Sequence, residues 1–172
     1  MILNVILEWD DPVPPMFMLA ELSTIIPHVW LELGLRFHQE GLNNVDDQGR
    51  RSLHVASMCL WCEVGDAHFW TLLHAYPAVA QRRCHQGRLP LHYVLETGKS
   101  LDCVKALIVE YPDAWEESDP VSGLPSFLLA IATDALMTTN GCLYCSKNRL
   151  NNCYFLFRED PAVILGLSSG YF

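Results

Sequence analysis

The sequence predicts an all-α fold, an α-solenoid of three to four stacked helix–turn–helix units. Three observations carry that expectation. Residues 48–55 read Gln-Gly-Arg-Arg-Ser-Leu-His-Val and residues 86–93 read Gln-Gly-Arg-Leu-Pro-Leu-His-Tyr, so Gln-Gly-Arg-x-x-Leu-His recurs after 38 residues. A second marker keeps nearly the same step: Tyr76-Pro77 returns as Tyr111-Pro112, 35 residues on. Self-similarity at a period of a few tens of residues marks stacked units, each too small to bury its apolar faces alone. The third observation is an apolar fraction of 51% over 172 residues, enough for one packed core and a single domain over residues 1–172.

Fainter echoes fix the ends of the array. Asp160-Pro161-Ala162 is a third, weaker echo of Tyr76-Pro77-Ala78. Asp11-Pro12-Val13 leads to Phe17-Met18-Leu19-Ala20, as Asp119-Pro120-Val121 leads to Phe127-Leu128-Leu129-Ala130. The units so defined span residues 11–45, 46–83, 84–118 and 119–168.

Each unit opens on a turn: Asp46-Asp47-Gln48-Gly49, then His85-Gln86-Gly87, then Asp119 to Gly123. Glycine is the natural residue where such a turn needs positive φ. A short apolar stretch follows and reads as a first helix. In the third unit Pro90 opens it, at a position where the missing N–H costs nothing. Glu96-Thr97-Gly98-Lys99-Ser100 breaks the chain, and Leu101, Val104, Ala106, Leu107, Ile108 and Tyr111 then recur at the spacing of one helical face. Pro77 and Pro112 end the second helices of their units. In the last unit an insertion, residues 133–152, separates the two expected helices.

Gly-x-x-Pro-Leu-His followed by a glycine break and a leucine-rich second helix resembles the ankyrin repeat, whose signature is Gly-x-Thr-Pro-Leu-His-x-Ala. Gly87-Arg88-Leu89-Pro90-Leu91-His92 is the fuller match, and Gly49-Arg50-Arg51-Ser52-Leu53-His54-Val55-Ala56 is the second. The resemblance is fullest over 46–118. The threonine of the signature is Arg51 in one copy and Leu89 in the other, so these are divergent repeats. Without that hydroxyl, His54 and His92 are expected to find partners elsewhere than in their own turn. In the fourth unit Phe127 and Leu128 replace Leu-His.

The resemblance implies a non-catalytic adaptor or scaffold that binds a protein partner through projecting turns and the concave first-helix face. The positions it implies are Asp47, Gln48, Arg50, Met58, His85, Gln86, Arg88, Glu96 and Thr97. His54 and His92 occupy equivalent positions, which favours an architectural role, since one active site needs no copy in each unit. Arg50, Arg51, Arg82, Arg83 and Arg88 are five of the eleven basic residues. They read either as a strip gripping an acidic peptide through paired Arg–carboxylate bonds or as turn residues offsetting Asp46 and Asp47. Trp61, Trp70 and Trp115 read as packing residues before binding anchors.

The rival reading uses cysteine. Cys59-Leu60-Trp61-Cys62 and Cys142-Leu143-Tyr144-Cys145 form two Cys-x-x-Cys pairs, which could hold zinc through four thiolates or act as redox dithiols. Their wide separation, and the absence of proline or a basic residue inside either pair, weigh against both. Cys84, Cys103 and Cys153 read as small apolar fillers. No cofactor is expected. There is no phosphate-cradling glycine loop, no Gly-x-Ser-x-Gly and no His-Glu-x-x-His, so no enzyme is expected.

A net charge of −9 argues against nucleic-acid and anionic-membrane partners. The N-terminus turns acidic without a basic segment, unlike a signal peptide. Seven cysteines, an odd number in a chain with a real core, suit a reducing intracellular compartment, cytoplasmic or nuclear. The apolar segments Met16–Trp30 and Ala162–Phe172 pack as irregular caps, drive self-association, or continue into a longer stack.

Overall fold

A computed structural model describes residues 43–58, 64–132 and 143–159. Among these residues the chain is all-helical, with no strand. Six α-helices follow in order: α1 Ser52–Met58, α2 Val64–Ala75, α3 Pro90–Thr97, α4 Leu101–Glu110, α5 Ser126–Ala132 and α6 Leu143–Glu159. Short 3₁₀ turns lie at Pro77–Gln81 and Pro112–Trp115. The expected unit 11–45, apart from its last three residues, lies outside the described residues. So do the two apolar end segments and Cys59, Trp61, Cys62 and Cys142.

The helices pack in consecutive pairs: α1 on α2, α3 on α4, α5 on α6. Across the pairs, α1 packs on α3 and α3 on α5, while α2 packs on α4 and α4 on α6. The core lies between these two rows. Leu53, Ala56, Leu91, Val94, Leu95, Leu129 and Ala130 fill it from the first row, and Phe69, Leu72, Val104 and Leu107 from the second. Of the face expected on α4, Val104 and Leu107 are buried, while Leu101, Ala106, Ile108 and Tyr111 are half-buried against the core.

The turns before α1, α3 and α5 share a left-handed glycine, the third turn being one residue longer than the first two. Gly49, Gly87 and Gly123 have φ of 71°, 79° and 70°. In each, the glycine N–H donates back to the carbonyl that opens the turn: Asp46 (2.8 Å), Cys84 (2.9 Å) and Asp119 (2.7 Å). The first two turns are also joined, since the His85 N–H donates to the Gln48 carbonyl at 2.9 Å. Gly49 is required twice over. Its left-handed φ costs other residues about 1–2 kcal/mol, and a Cβ there would overlap the imidazole of His85.

The Tyr-Pro marker has a direct backbone meaning. Tyr76 sits at φ −149°, ψ 77° and Tyr111 at φ −144°, ψ 89°. A residue before proline is pushed out of the α region, so α2 stops at Ala75 and α4 at Glu110. Pro77 and Pro112 then open the two 3₁₀ turns, which bury Val79, Ala80 and Ala114.

Helix starts differ from the expectation. His54 and His92 each find a first partner inside their own turn, and His92 also reaches beyond it to Glu117. His54 Nδ1 accepts the Arg51 N–H at 3.2 Å, and His92 Nδ1 accepts the Leu89 N–H at 3.1 Å. Each imidazole stands at the third helical position and reaches back to the residue before the helix, where a Glu or Gln stands in a capping box. The ring thus satisfies the N–H of the residue that stands at the signature's threonine position.

The expected insertion also resolves differently. Leu143–Asn152 is the first part of α6, which packs along α5. Its inward face is polar for a reason. Arg149 Nη2 donates to the Glu96 carbonyl (3.0 Å), Asn148 Nδ2 to that of Gly98 (3.3 Å) and Asn152 Nδ2 to that of Lys99 (2.9 Å). The last carbonyls of a helix lack partners within it, and here α6 supplies them for the end of α3.

Candidate functional site

A groove of about 390 Å³ runs over the turns and the first-helix row, lined by Gln48, Arg50, Met58, Gln86, Arg88, Tyr93, Glu96, Thr97 and Arg149. Seven of the nine positions expected to bind a partner are therefore neighbours in space. Six of the seven come in pairs at the repeat offset: Gln48 with Gln86, Arg50 with Arg88, Met58 with Glu96. Asp47 and His85 are exposed on the turns but outside the groove.

The first turn builds its own end of the groove. Asp46 Oδ1 accepts the N–H groups of Gln48 (2.9 Å) and Arg50 (2.8 Å), and Oδ2 accepts Arg50 Nε at 2.6 Å. Arg50 Nη1 reaches on to the Met58 sulfur, 3.2 Å away. Burial alone would raise the Asp46 pKa. The hydrogen bonds from Arg50 and Gln48, with the Arg50 charge, outweigh it and hold the carboxyl below its ordinary value.

In the second turn Cys84 stands where the first has Asp46, and the consequence shapes the site. Arg88 has no carboxylate in its own turn. It turns instead to Asp119 of the next turn (Nε–Oδ1 2.7 Å) and to Glu96 at the end of α3 (Nη1–Oε2 2.7 Å). Its guanidinium carbon lies 4.4 Å from the centroid of the Tyr93 ring, a cation–π contact. The Tyr93 hydroxyl meets Cys84 Sγ at 3.5 Å. Burial, with that thiol beside it, raises the Tyr93 pKa beyond reach of ordinary pH.

Asp119 completes the link. Its Oδ2 accepts both the N–H and the hydroxyl of Ser122, at 2.9 and 2.7 Å. Burial opposes its charge, but the Ser122 bonds and Arg88 prevail and its pKa is lowered. Arg88 and Asp119 are 6% and 1% exposed, so this ion pair ties the third unit to the fourth from the inside.

Neither Arg50 nor Arg88 projects freely from its turn. Arg50 is half-buried on Asp46, and Arg88 is buried between two carboxylates. Arg83, exposed, pairs with Glu117. Three of the five arginines of the presumed strip are already answered by carboxylates of this chain, so the groove floor is a balanced charge network. Its exposed reach comes from the amides of Gln48 and Gln86, with Met58 and Tyr93 as apolar footing.

Tyr93 and Arg149 were not expected in the groove. Tyr93 occupies the offset position of Val55, and a polar-tipped aromatic where its counterpart is aliphatic was an available signal. Arg149 left none, because it arrives from α6, beyond the repeated phrase. Trp70 packs edge-on against Phe69 (5.6 Å) and beside His74, and Trp115 packs half-buried on the core.

His54 and His92 are both fully buried. Burial lowers the His54 pKa to about 4 and that of His92 in the same direction. Both rings are neutral at pH 7, and His92 Nε2 donates to the Glu117 carbonyl at 3.4 Å. His92 thus links its turn to the next.

Among the described residues no group of three or more His, Cys, Asp or Glu side chains is placed to hold a metal ion. Cys84 and Cys103 are buried. The Cys-x-x-Cys proposal falls on residues outside the described ones, apart from the backbone of Cys145. Within the described residues no helix is long and apolar enough to cross a membrane. No family model, curated protein or solved structure matches this chain.

Proposed function

We propose that the chain is a non-catalytic protein-interaction module, a divergent ankyrin-like stack of helix pairs that holds a segment of a partner protein along the groove. The observation that carries this reading is the pairing of groove residues at the repeat offset. Two consecutive units contribute the same three positions to one surface, as a stacked array does when it displays a continuous binding edge. The parallel rows of first and second helices, the shared left-handed turn glycines and the matched Tyr-Pro dihedrals support the stacked-repeat description.

The chemistry of the edge suits an extended polypeptide. The Gln48 and Gln86 amides each present donors and an acceptor, able to match the N–H and C=O groups of a peptide backbone. Met58 adapts its shape to apolar side chains. With the arginines engaged by Asp46, Asp119 and Glu96, the groove has no surplus of bare charge to demand an acidic ligand.

The test uses the exposed residues and spares the buried network. A Gln48→Arg/Gln86→Arg double variant fills the groove with long side chains without touching the core. Partner recovery on tagged full-length chain is expected to fall about tenfold or more, the loss of roughly 1.4 kcal/mol, with unchanged helicity. Full recovery of the same partners by the variant would sink the groove as the binding surface.

A further inference from the structure

Three buried side chains meet where the turn before α5 lies against the start of α3. Asp119 Oδ1 accepts Arg88 Nε at 2.7 Å and lies 4.0 Å from His92 Nδ1. None of the three reaches solvent to any extent. The other carboxylate oxygen, Oδ2, is filled by the N–H and hydroxyl of Ser122. A single oxygen thus faces a guanidinium and an imidazole, and at pH 7 only the guanidinium is charged.

The two histidines show that the repeat alone does not produce this arrangement. His54 and His92 hold equivalent places, and each accepts the N–H before its helix through Nδ1. Asp119 opens the turn that follows His92, whereas Cys84 opens the turn that follows His54. Arg50 is closed on Asp46 of its own turn, while Arg88 depends on Asp119. A proton on His54 meets no carboxylate at the head of the next turn. A proton on His92 meets one that an arginine already holds.

Few other ionisable groups face His92. Burial opposes its proton most, the Glu117 carbonyl and Asp119 favour it, Arg88 opposes it, and the Glu117 charge favours it. From α1 comes only the neutral His54 ring, 6.0 Å from that of Tyr93. Helix α4 turns Cys103, Val104 and Leu107 inward and keeps Asp102 and Lys105 exposed. Helix α5 and the Pro77–Gln81 turn carry no titratable side chain. From α6, Arg149 reaches the Glu96 carbonyl at the far end of α3.

We propose that this junction is a proton-operated latch on the groove: a proton taken up by His92 in the folded chain sets its imidazolium against Arg88 for Asp119 Oδ1 and loosens Arg88 toward the groove. Neutral His92 donates through Nε2 to the Glu117 carbonyl and accepts the Leu89 N–H at Nδ1. A proton from solvent therefore adds at Nδ1, the ring nitrogen with the lone pair. It ends the Leu89 bond and makes Nδ1 a donor facing Asp119 Oδ1. The carboxylate then serves two cations that repel each other at close range. The histidine is fixed by its place in the helix and its Nε2 bond, whereas Arg88 has a second carboxylate, Glu96, to turn to. Arg88 lines the groove, so the groove floor gains a guanidinium released from its inner partner. By linkage, a ligand that draws Arg88 off Asp119 raises the proton affinity of His92 by the factor by which acid raises that ligand's affinity. This last consequence rests on the groove being the binding surface; the latch does not.

Nuclear magnetic resonance on the isotope-labelled full chain, from about pH 7.5 to about pH 4, tests it. The His92 ring is expected to titrate below its ordinary 6.5 while the helical circular dichroism signal persists. The Arg88 Nε–H proton resonance is expected to move upfield along the same curve, as its short bond to Asp119 is lost. In His92→Gln, where a glutamine at the third helical position still accepts the N–H before the helix, the Arg88 resonance is expected to hold still. The wild-type curves decide by themselves if that variant does not fold. Three outcomes would overturn the latch: a His92 ring that stays neutral wherever the chain is folded, an Arg88 resonance indifferent to the His92 titration, or the same Arg88 movement in His92→Gln. Each is read without a partner, so failure of the latch leaves the groove standing as a binding surface, and failure of the groove leaves the latch to be judged by the same curves.

Discussion

Arg88→Ala is expected to destabilise the fold by about 3–5 kcal/mol, the usual effect of removing one member of a buried ion pair. That is a large share of the roughly 5–15 kcal/mol that holds a domain together. The reason is local. Asp119, 1% exposed, would keep only its Ser122 bonds against the cost of a buried charge. Glu96 would lose its guanidinium, and Tyr93 the cation over its ring. Arg50→Ala is expected to lose less, about 1–2 kcal/mol, because Asp46 keeps two backbone N–H donors. Urea unfolding of both variants checks the order. Equal losses, or an Arg88→Ala loss below about 1 kcal/mol, would contradict the inter-unit role of this arginine. Charge reversal at Arg88 would likewise report on the fold before it reported on any partner.

The second large effect is acid sensitivity well above the carboxylate range. The unfolded chain protonates His54 near its ordinary value of 6.5, while burial holds the folded ring neutral down to about 4. Nearby Arg51 disfavours the proton further, whereas the Arg82 and Arg88 backbone and Asp46 favour it. Between these two values the unfolded state binds more protons, so stability rises with pH there. It is fully present above about 6.5 and falls away toward pH 4, by roughly 3 kcal/mol at about 1.4 kcal/mol per unit. His92 is shifted the same way by its own burial and adds to the slope. Asp46 and Asp119, with lowered values, lose their contribution only below their ordinary 3.8, so the two windows are separate. Unfolding free energies measured from pH 7.5 to pH 4.5 should show the decline, and His54→Asn, which keeps an acceptor near the Arg51 N–H, should flatten much of it. A level profile between pH 7 and pH 5 would remove the buried neutral histidines from the account.

Much of the architecture is legible in the sequence because backbone geometry leaves little choice. Positive φ asks for Gly49, Gly87 and Gly123. The residue before proline leaves the helix at Tyr76 and Tyr111. These are short-range rules, and they recur with the repeat. The site is legible as positions: the offset that aligns Gln48 with Gln86 and Met58 with Glu96 also brings them to one groove.

What the side chains do there is less legible, because it depends on residues far along the chain. Whether an arginine in the turn projects or folds inward is decided by its neighbours. Asp46 captures Arg50 four residues away. Cys84, at the same place in the next turn, leaves Arg88 to find Asp119, 31 residues on. Helix α6 shows the same limit. A run of Asn148, Arg149 and Asn152 reads as a solvated insertion until the free carbonyls at the end of α3 are set opposite it.

The central claim is that this chain acts by holding another protein along the edge shared by its first two described turns. Site-specific photo-crosslinking puts that most directly. A photoreactive residue is placed singly at Gln48, at Gln86, or at Val109, which is 76% exposed on α4 away from the groove lining, and the full chain is irradiated in extract of its source cells. The account predicts the same discrete adduct from Gln48 and Gln86 and none from Val109. Adducts from Val109 alone, or indifferent labelling from all three positions, would contradict it.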